Sequence, residues 1–155
     1  LNPQTKTYLR ALATELGESS NAVRVELNRL TDAGILTSAK DGNKLLYHVN
    51  DGHPLYEPIN TMIRKYVGID EIINNVIKGL GNIEKLYLTG SLAAGLFTEI
   101  IDIVIIGEIN MDYLLVTIAK IEKGIGKKIR YVQNTSLEAK KMNFDSQKFL
   151  LICAP

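Results

Sequence analysis

Apolar positions in residues 7–16, TYLRALATEL, recur three and four apart. Leu9, Leu12, Ala13 and Leu16 share one face, and Gly17 follows. That spacing predicts an amphipathic helix ended by glycine. Residues 18–34, ESSNAVRVELNRLTDAG, repeat the pattern. Val23, Leu27 and Leu30 are expected to face a core, Ser19 or Ser20 to cap the first turn, and Gly34 to stop the helix. Asn21, Arg24, Val25 and Asn28 recur on a second face. After Gly34 the period shortens. Residues 35–40 and 44–50 read as strands, and Asp41-Gly42-Asn43 between them is a hairpin turn signal.

The helical period returns in residues 55–67, with Ile59, Met62, Ile63 and Tyr66 on the predicted inner face. Pro54 can open this helix, and Pro58 falls in its first turn, where proline is tolerated. Gly68 interrupts it. Residues 69–80 form a second apolar face from Ile72, Ile73, Val76, Ile77 and Leu80, ended by Gly79 and Gly81. These helices either dimerise the protein or tie its halves together, and the pattern does not choose. The boundary is placed near Gly68, dividing the chain into 1–67 and 68–155.

Beyond it, residues 83–89 read as a buried strand running into Gly90-Ser91-Leu92-Ala93-Ala94-Gly95. The polar stretch Phe97-Thr98-Glu99 precedes a strongly apolar strand, 100–106, interrupted only by Asp102. Residues 111–125 predict a helix with Leu114, Leu115, Ile118, Ile121 and Ile125 inward. A strand at 127–132, a short helix at 136–142 and a strand at 148–153 follow. The fold class is α+β: two helices and a hairpin in front, a small mixed-sheet domain behind.

Composition narrows the classes. A chain of 155 residues makes one ordinary domain or two small ones, and 46% hydrophobic residues exclude wholesale disorder. Residues 1–66 hold eight Lys/Arg against seven Asp/Glu, and residues 67–155 hold ten of each. Neither half is basic, so contact with nucleic acid must come from local placement of charge. Cys153 stands alone, which excludes a disulfide within the chain and fits a cytoplasmic location. No signal peptide and no apolar run of membrane-spanning length is visible. The start at Leu1 suggests a trimmed fragment. His48 and His53 have no Cys pair or acidic cluster at ligand spacing, so neither a metal site nor a cofactor is expected.

With those elements in place, residues 5–50 resemble the winged helix-turn-helix of ArsR/MarR-like bacterial regulators. The order is helix, turn, a Ser-Ser-Asn-Ala-Val-Arg helix, Ala-Gly-Ile-Leu, then the Asp-Gly-Asn hairpin. The resemblance implies binding of double-stranded DNA as a homodimer. It also implies a further helix before Thr7, for which too few residues are present. Amide and guanidinium groups reach base edges in a major groove. Asn21, Arg24 and Asn28 are therefore expected to read bases, and Ser20, Lys40 and Lys44 to contact the backbone.

The second half resembles the minimal nucleotidyltransferases of the DNA polymerase β type. Their motif is a strand, Gly-Ser, a helix turn, Gly, a loop, then Asp-x-Asp on the next strand. Gly90, Ser91, Gly95 and Asp102 match it. A Gly-Ser turn brings backbone N–H groups close to a triphosphate, and paired carboxylates hold Mg²⁺. Val104 stands where the second carboxylate belongs, and residues 127–132 carry none. The expectation is an inactive domain. Its glycines either keep a remnant site for a nucleotide or small phosphorylated effector, with Lys127, Lys128 or Arg130 as charge partners, or serve only the turn.

The reading at this point is a DNA-binding transcriptional regulator with a non-catalytic nucleotidyltransferase-like domain, not an enzyme. The alternative is an active nucleotidyltransferase that uses its front half to dock a protein or RNA acceptor. A protein-interaction module is a third reading.

Overall fold

The computed structural model describes residues 1–77, 81–145 and 148–154. It divides into two compact units, Pro3–Thr61 and Met62–Pro155, the latter including Leu1–Asn2. The sequence pattern placed a boundary nearer Gly68, whereas the contacts divide the chain inside a helix.

The front unit is a three-stranded antiparallel sheet with two helices. Its elements are β1 (Lys6–Tyr8), α1 (Leu9–Leu16), α2 (Ser20–Asp32), β2 (Leu36–Asp41) and β3 (Lys44–Val49), with strand order β1-β3-β2. Thr7 and Tyr8 were expected in the first helix. They instead pair with Tyr47 and Leu46, because a free strand edge offers partners to any extended segment that reaches it. Gly17 ends α1 in the left-handed conformation. Ser19 caps α2, its hydroxyl accepting the Ala22 N–H at 3.1 Å. Asp41 pairs with Lys44 across the two-residue tip Gly42-Asn43, with Gly42 at φ +58°. Ala13, Val23, Leu27 and Tyr47 form the core, with Leu9, Leu12 and Leu36 packed on it. Leu16 and Leu30, expected inward, are exposed. The helix α3 (Tyr56–Val67) follows. Ile59, Met62 and Tyr66 do not line a core as expected, and all three are exposed.

The rear unit is a mixed sheet of order β6-β5-β4-β7. Its elements are α4 (Ile69–Ile77), β4 (Gly81–Thr89), α5 (Gly90–Ala93), β5 (Ile100–Ile109), α6 (Met111–Ile125), β6 (Lys128–Asn134), α7 (Ser136–Ala139) and β7 (Leu150–Cys153). The helix α6 joins β5 to its parallel neighbour β6, and β4 runs antiparallel to both β5 and β7. Alternation along β5 gives the sheet two apolar faces. Ile101, Ile103 and Ile105 join Leu86, Leu88, Ile69, Ile72, Leu114, Ile118 and Ile121 in the larger core. Each such buried side chain contributes about 1.5–3 kcal/mol. Val104 and Ile106 turn the other way, joining Tyr87, Phe144 and Phe149. Leu115, expected inward on α6, is exposed.

Gly68, at φ +91°, lies so close to Ile125 that an added Cβ would fall 2.8 Å from its side chain. Asn2 is buried and donates to the Ala93 carbonyl at 3.2 Å. The expected end of the 69–80 helix, with Gly79 and Leu80 and the side chains of Val76 and Ile77, lies outside the described residues. No helix among the described residues is long and apolar enough to cross a membrane.

Candidate functional site

β4 delivers the chain into Gly90, whose φ of +68° is reserved in practice for glycine. A second constraint acts on the same residue. A Cβ there would land on Asp102 Oδ2 and lie 3.2 Å from Asp102 Cγ. Asp102 sits on β5, opposite Thr89 of β4 on one side and Arg130 of β6 on the other. Arg130 donates twice to it, Nε to Oδ1 at 2.6 Å and Nη2 to Oδ2 at 2.9 Å. This is the fork that matches guanidinium to carboxylate. The Asp102 carboxylate holds the Arg130 guanidinium above its ordinary pKa. The Asp102 side chain is 17% exposed and that of Arg130 67%.

Thr89 makes no side-chain cap bond to α5, and its hydroxyl donates to the Lys148 carbonyl at 3.0 Å. The loop then closes on itself. Gly95 N–H donates to Leu92 O, and Leu96 N–H to Ser91 O at 2.9 Å. Gly90, Ser91 and Gly95 are all exposed. Of the three basic residues proposed as charge partners, Arg130 reaches Asp102. Lys127 turns to the Thr98 carbonyl and Glu99, and Lys128 to Glu122. Asp102 thus bonds across strands, to Arg130 of the neighbouring β6.

The nucleotidyltransferase resemblance implies Mg²⁺, so the donor set matters. Val104 lies two residues along β5 from Asp102, 5% exposed and walled in by Tyr87, Phe144 and Phe149. Among the described residues no group of three or more His, Cys, Asp or Glu could hold a metal ion. Mg²⁺ demands several hard oxygens in near-octahedral array. Asp102 with both oxygens held by Arg130 does not fit that demand. His48 instead contacts the Thr37 hydroxyl, and His53 Nδ1 accepts the Leu55 N–H.

In the front unit, Ser20, Asn21, Arg24, Asn28, Lys40 and Lys44 are all exposed. Arg24, Asn28 and Lys44 line one open groove of about 560 Å³, together with Tyr8, Arg10 and Asn43. Ser20, Asn21 and Lys40 do not line it. Lys44 Nζ stands 5.5 Å over the Tyr8 ring, and the Tyr8 hydroxyl donates to Asp41. That bond to a carboxylate pushes the Tyr8 hydroxyl above its ordinary pKa. Arg10 and Asn43 carry no periodic signal in the sequence. They join the groove because the start of α1 and the hairpin tip both line it.

No family model matches the chain, and no curated protein matches it. Among solved structures it is similar to the crystal structure of a "putative nucleotidyltransferase" from Sulfolobus solfataricus. Identity is 22% and the TM-score 0.42, over 62% of this chain and 86% of that one. Likeness at that level does not establish a family or a shared activity. The expectation that the chain is not an enzyme is withdrawn, since it rested on missing carboxylates alone. Two absent carboxylates exclude one way of holding a metal. They do not demonstrate inactivity. The comparisons lend nothing to the ArsR/MarR-like resemblance of residues 5–50.

Proposed function

We propose that the rear unit is a nucleotidyltransferase-type domain, and that the front unit docks its acceptor. The phosphate chain of a nucleoside triphosphate would lie at the Gly90–Ser91 turn. The observation that carries this reading is the seating of Gly90 directly against the Asp102 carboxylate, beside an Arg130 that is two-thirds exposed. Gly90, having no side chain, lets phosphate oxygens approach the backbone N–H groups of the turn. Thr89 makes no side-chain cap bond to the first-turn N–H groups of α5. Arg130 can exchange a carboxylate for a phosphate, since both match its planar fork. That exchange leaves Asp102 free to act as a base beside the turn. In the transfer step the acceptor hydroxyl oxygen bonds to the α-phosphorus. The bond from that phosphorus to the bridging oxygen breaks, pyrophosphate leaves, and the hydroxyl proton passes to Asp102.

The test is incubation of the full chain with α-labelled nucleoside triphosphates and RNA or protein acceptors, with and without a divalent cation. Label should pass to an acceptor and fail to do so in Asp102→Asn. Absence of transfer together with absence of nucleotide binding overturns the reading.

A second reading is favoured by the groove where Arg24, Asn28 and Lys44 meet Arg10. In it, residues 1–67 act as a winged helix-turn-helix that binds double-stranded DNA as a homodimer. Residues 68–155 then bind an effector or serve assembly. Selection from random duplexes, followed by gel shifts with a salt titration, tests it. Binding that shows no sequence preference in wild type counts against it.

A further inference from the structure

The front unit, Pro3–Thr61, carries six Lys/Arg against seven Asp/Glu, yet its charges are sorted. Arg10, Arg24 and Lys44 line the groove of about 560 Å³, and no carboxylate lines it. None of the three forms an ion pair among the described residues. A second groove of the same unit, about 590 Å³, shows the opposite balance. It is lined by Glu18, Glu26 and Arg29, and its arginine is paired with Glu26 at 2.8 Å. Three cations gathered in one concavity repel one another, and an anionic ligand supplies the missing partner. Lys44 is also positioned, with Nζ 5.5 Å over the Tyr8 ring. The Tyr8 hydroxyl in turn donates to Asp41, which does not line the groove.

Shape narrows the anion. Side chains that read a duplex must stand out from the protein and enter its major groove. Arg24 and Asn28 instead share a concavity with Arg10 of α1 and Asn43 of the hairpin tip, so the ligand must come to them. A volume of about 300–1,000 Å³ is typical of sites that enclose a small ligand. An unstacked strand enters such a space, whereas a duplex does not. Single strands are held by cations along their phosphates and by aromatic faces or guanidinium planes against their bases. The three cations supply the first and the Tyr8 ring the second, while the Asn28 and Asn43 amides offer donors and acceptors to base edges. Of the two acceptor classes named above, RNA carries a charge on every repeat, which matches the cations.

We infer that this groove binds single-stranded RNA, with Arg10, Arg24 and Lys44 on its phosphates. In the transfer reading that strand is the acceptor, and this role alone rests on that reading. A duplex is the competing occupant.

The experiment measures binding of a short labelled single-stranded RNA to the full chain by fluorescence anisotropy across a salt series. A duplex of the same sequence and polyglutamate are run beside it. Three phosphate contacts give log affinity a slope of about −2 against log salt, at about −0.7 each. Arg10→Gln and Lys44→Gln, both at exposed side chains, should each weaken binding and flatten the slope by about 0.7. Arg29→Gln, at the other groove, should change neither. An unchanged slope in Arg10→Gln and Lys44→Gln overturns the groove as the site. Tighter binding of the duplex than of the single strand overturns the choice of occupant. Displacement of RNA by polyglutamate as readily as by unlabelled RNA of equal charge overturns it too, since that marks attraction by charge alone. RNA binding without nucleotide transfer upholds the groove and sinks the transfer reading. Transfer to a protein acceptor without RNA binding does the reverse.

Discussion

Replacing Gly90 by alanine tests the geometry on which the site depends. Two costs add. The first is conformational: a non-glycine residue at φ +68° costs about 1–2 kcal/mol. It is partly offset by about 0.4–1 kcal/mol, because alanine restricts the unfolded chain. The second is steric. The new methyl group would fall on Asp102 Oδ2, with Cγ at 3.2 Å and Cβ at 3.3 Å. The whole Asp102 side chain must leave its rotamer, at about 0.5–1.5 kcal/mol, and with it the fork to Arg130. Gly126 is the control. It lies in the same unit at the same φ of +68°, with nothing within 4 Å of an added Cβ. Gly126→Ala should therefore cost about 1 kcal/mol and Gly90→Ala about 2 kcal/mol. Urea unfolding followed by circular dichroism measures both. In an Asp102→Ala background the excess for Gly90→Ala should vanish, a coupling of about 1 kcal/mol between neighbours. Equal destabilisation by the two glycine substitutions in the wild-type background would refute the contact.

Ser19→Ala should destabilise the front unit by about 1 kcal/mol through loss of the α2 cap, read as a lower urea midpoint. Glu122 accepts the Ile129 N–H at 2.7 Å and Lys128 Nζ at 2.9 Å, which together hold its carboxyl below the usual range. A depressed folded-state pKa stabilises above the unfolded value of about 4.3, and that contribution is lost as pH falls through the folded value. Glu122→Gln should thus lower the melting temperature at neutral pH, with the gap to wild type closing in acid; a gap independent of pH would contradict this. On the DNA-binding reading, Arg24→Ala should weaken a selected duplex by about 1–3 kcal/mol and relax its sequence preference. Unchanged affinity and preference in gel shifts would remove Arg24 from the interface.

Element type was legible wherever one period ran long enough. The helix over 111–125, the α2 helix with its Ser19 cap, and the Gly42-Asn43 hairpin follow from local spacing and turn chemistry. The glycine turn at Gly90 was legible too, but its seating against Asp102 came from the pairing of β4 with β5. Periodicity misled where an apolar stripe has no partner in the fold. Ile59, Met62 and Tyr66 have the spacing of a core face and are exposed, because spacing reports which residues share a face and not what covers it. Thr7 and Tyr8 went to strand because β3 supplied their hydrogen bonds.

The sequence by itself determined the hairpin, the longer helices, the strands other than β1, and the glycine turn at Gly90. Only the tertiary structure decided what each side chain faces. Arg130 lies 28 residues from Asp102 and reaches it because β6 pairs in parallel with β5 in one register. A shift of one residue would point Arg130 to the other face of the sheet. Phe97 and Tyr66 likewise meet through a loop and a helix end, which no local period encodes. Local propensity acts through neighbours along the chain, whereas the surroundings of a carboxylate depend on strands brought together by burial of a shared core.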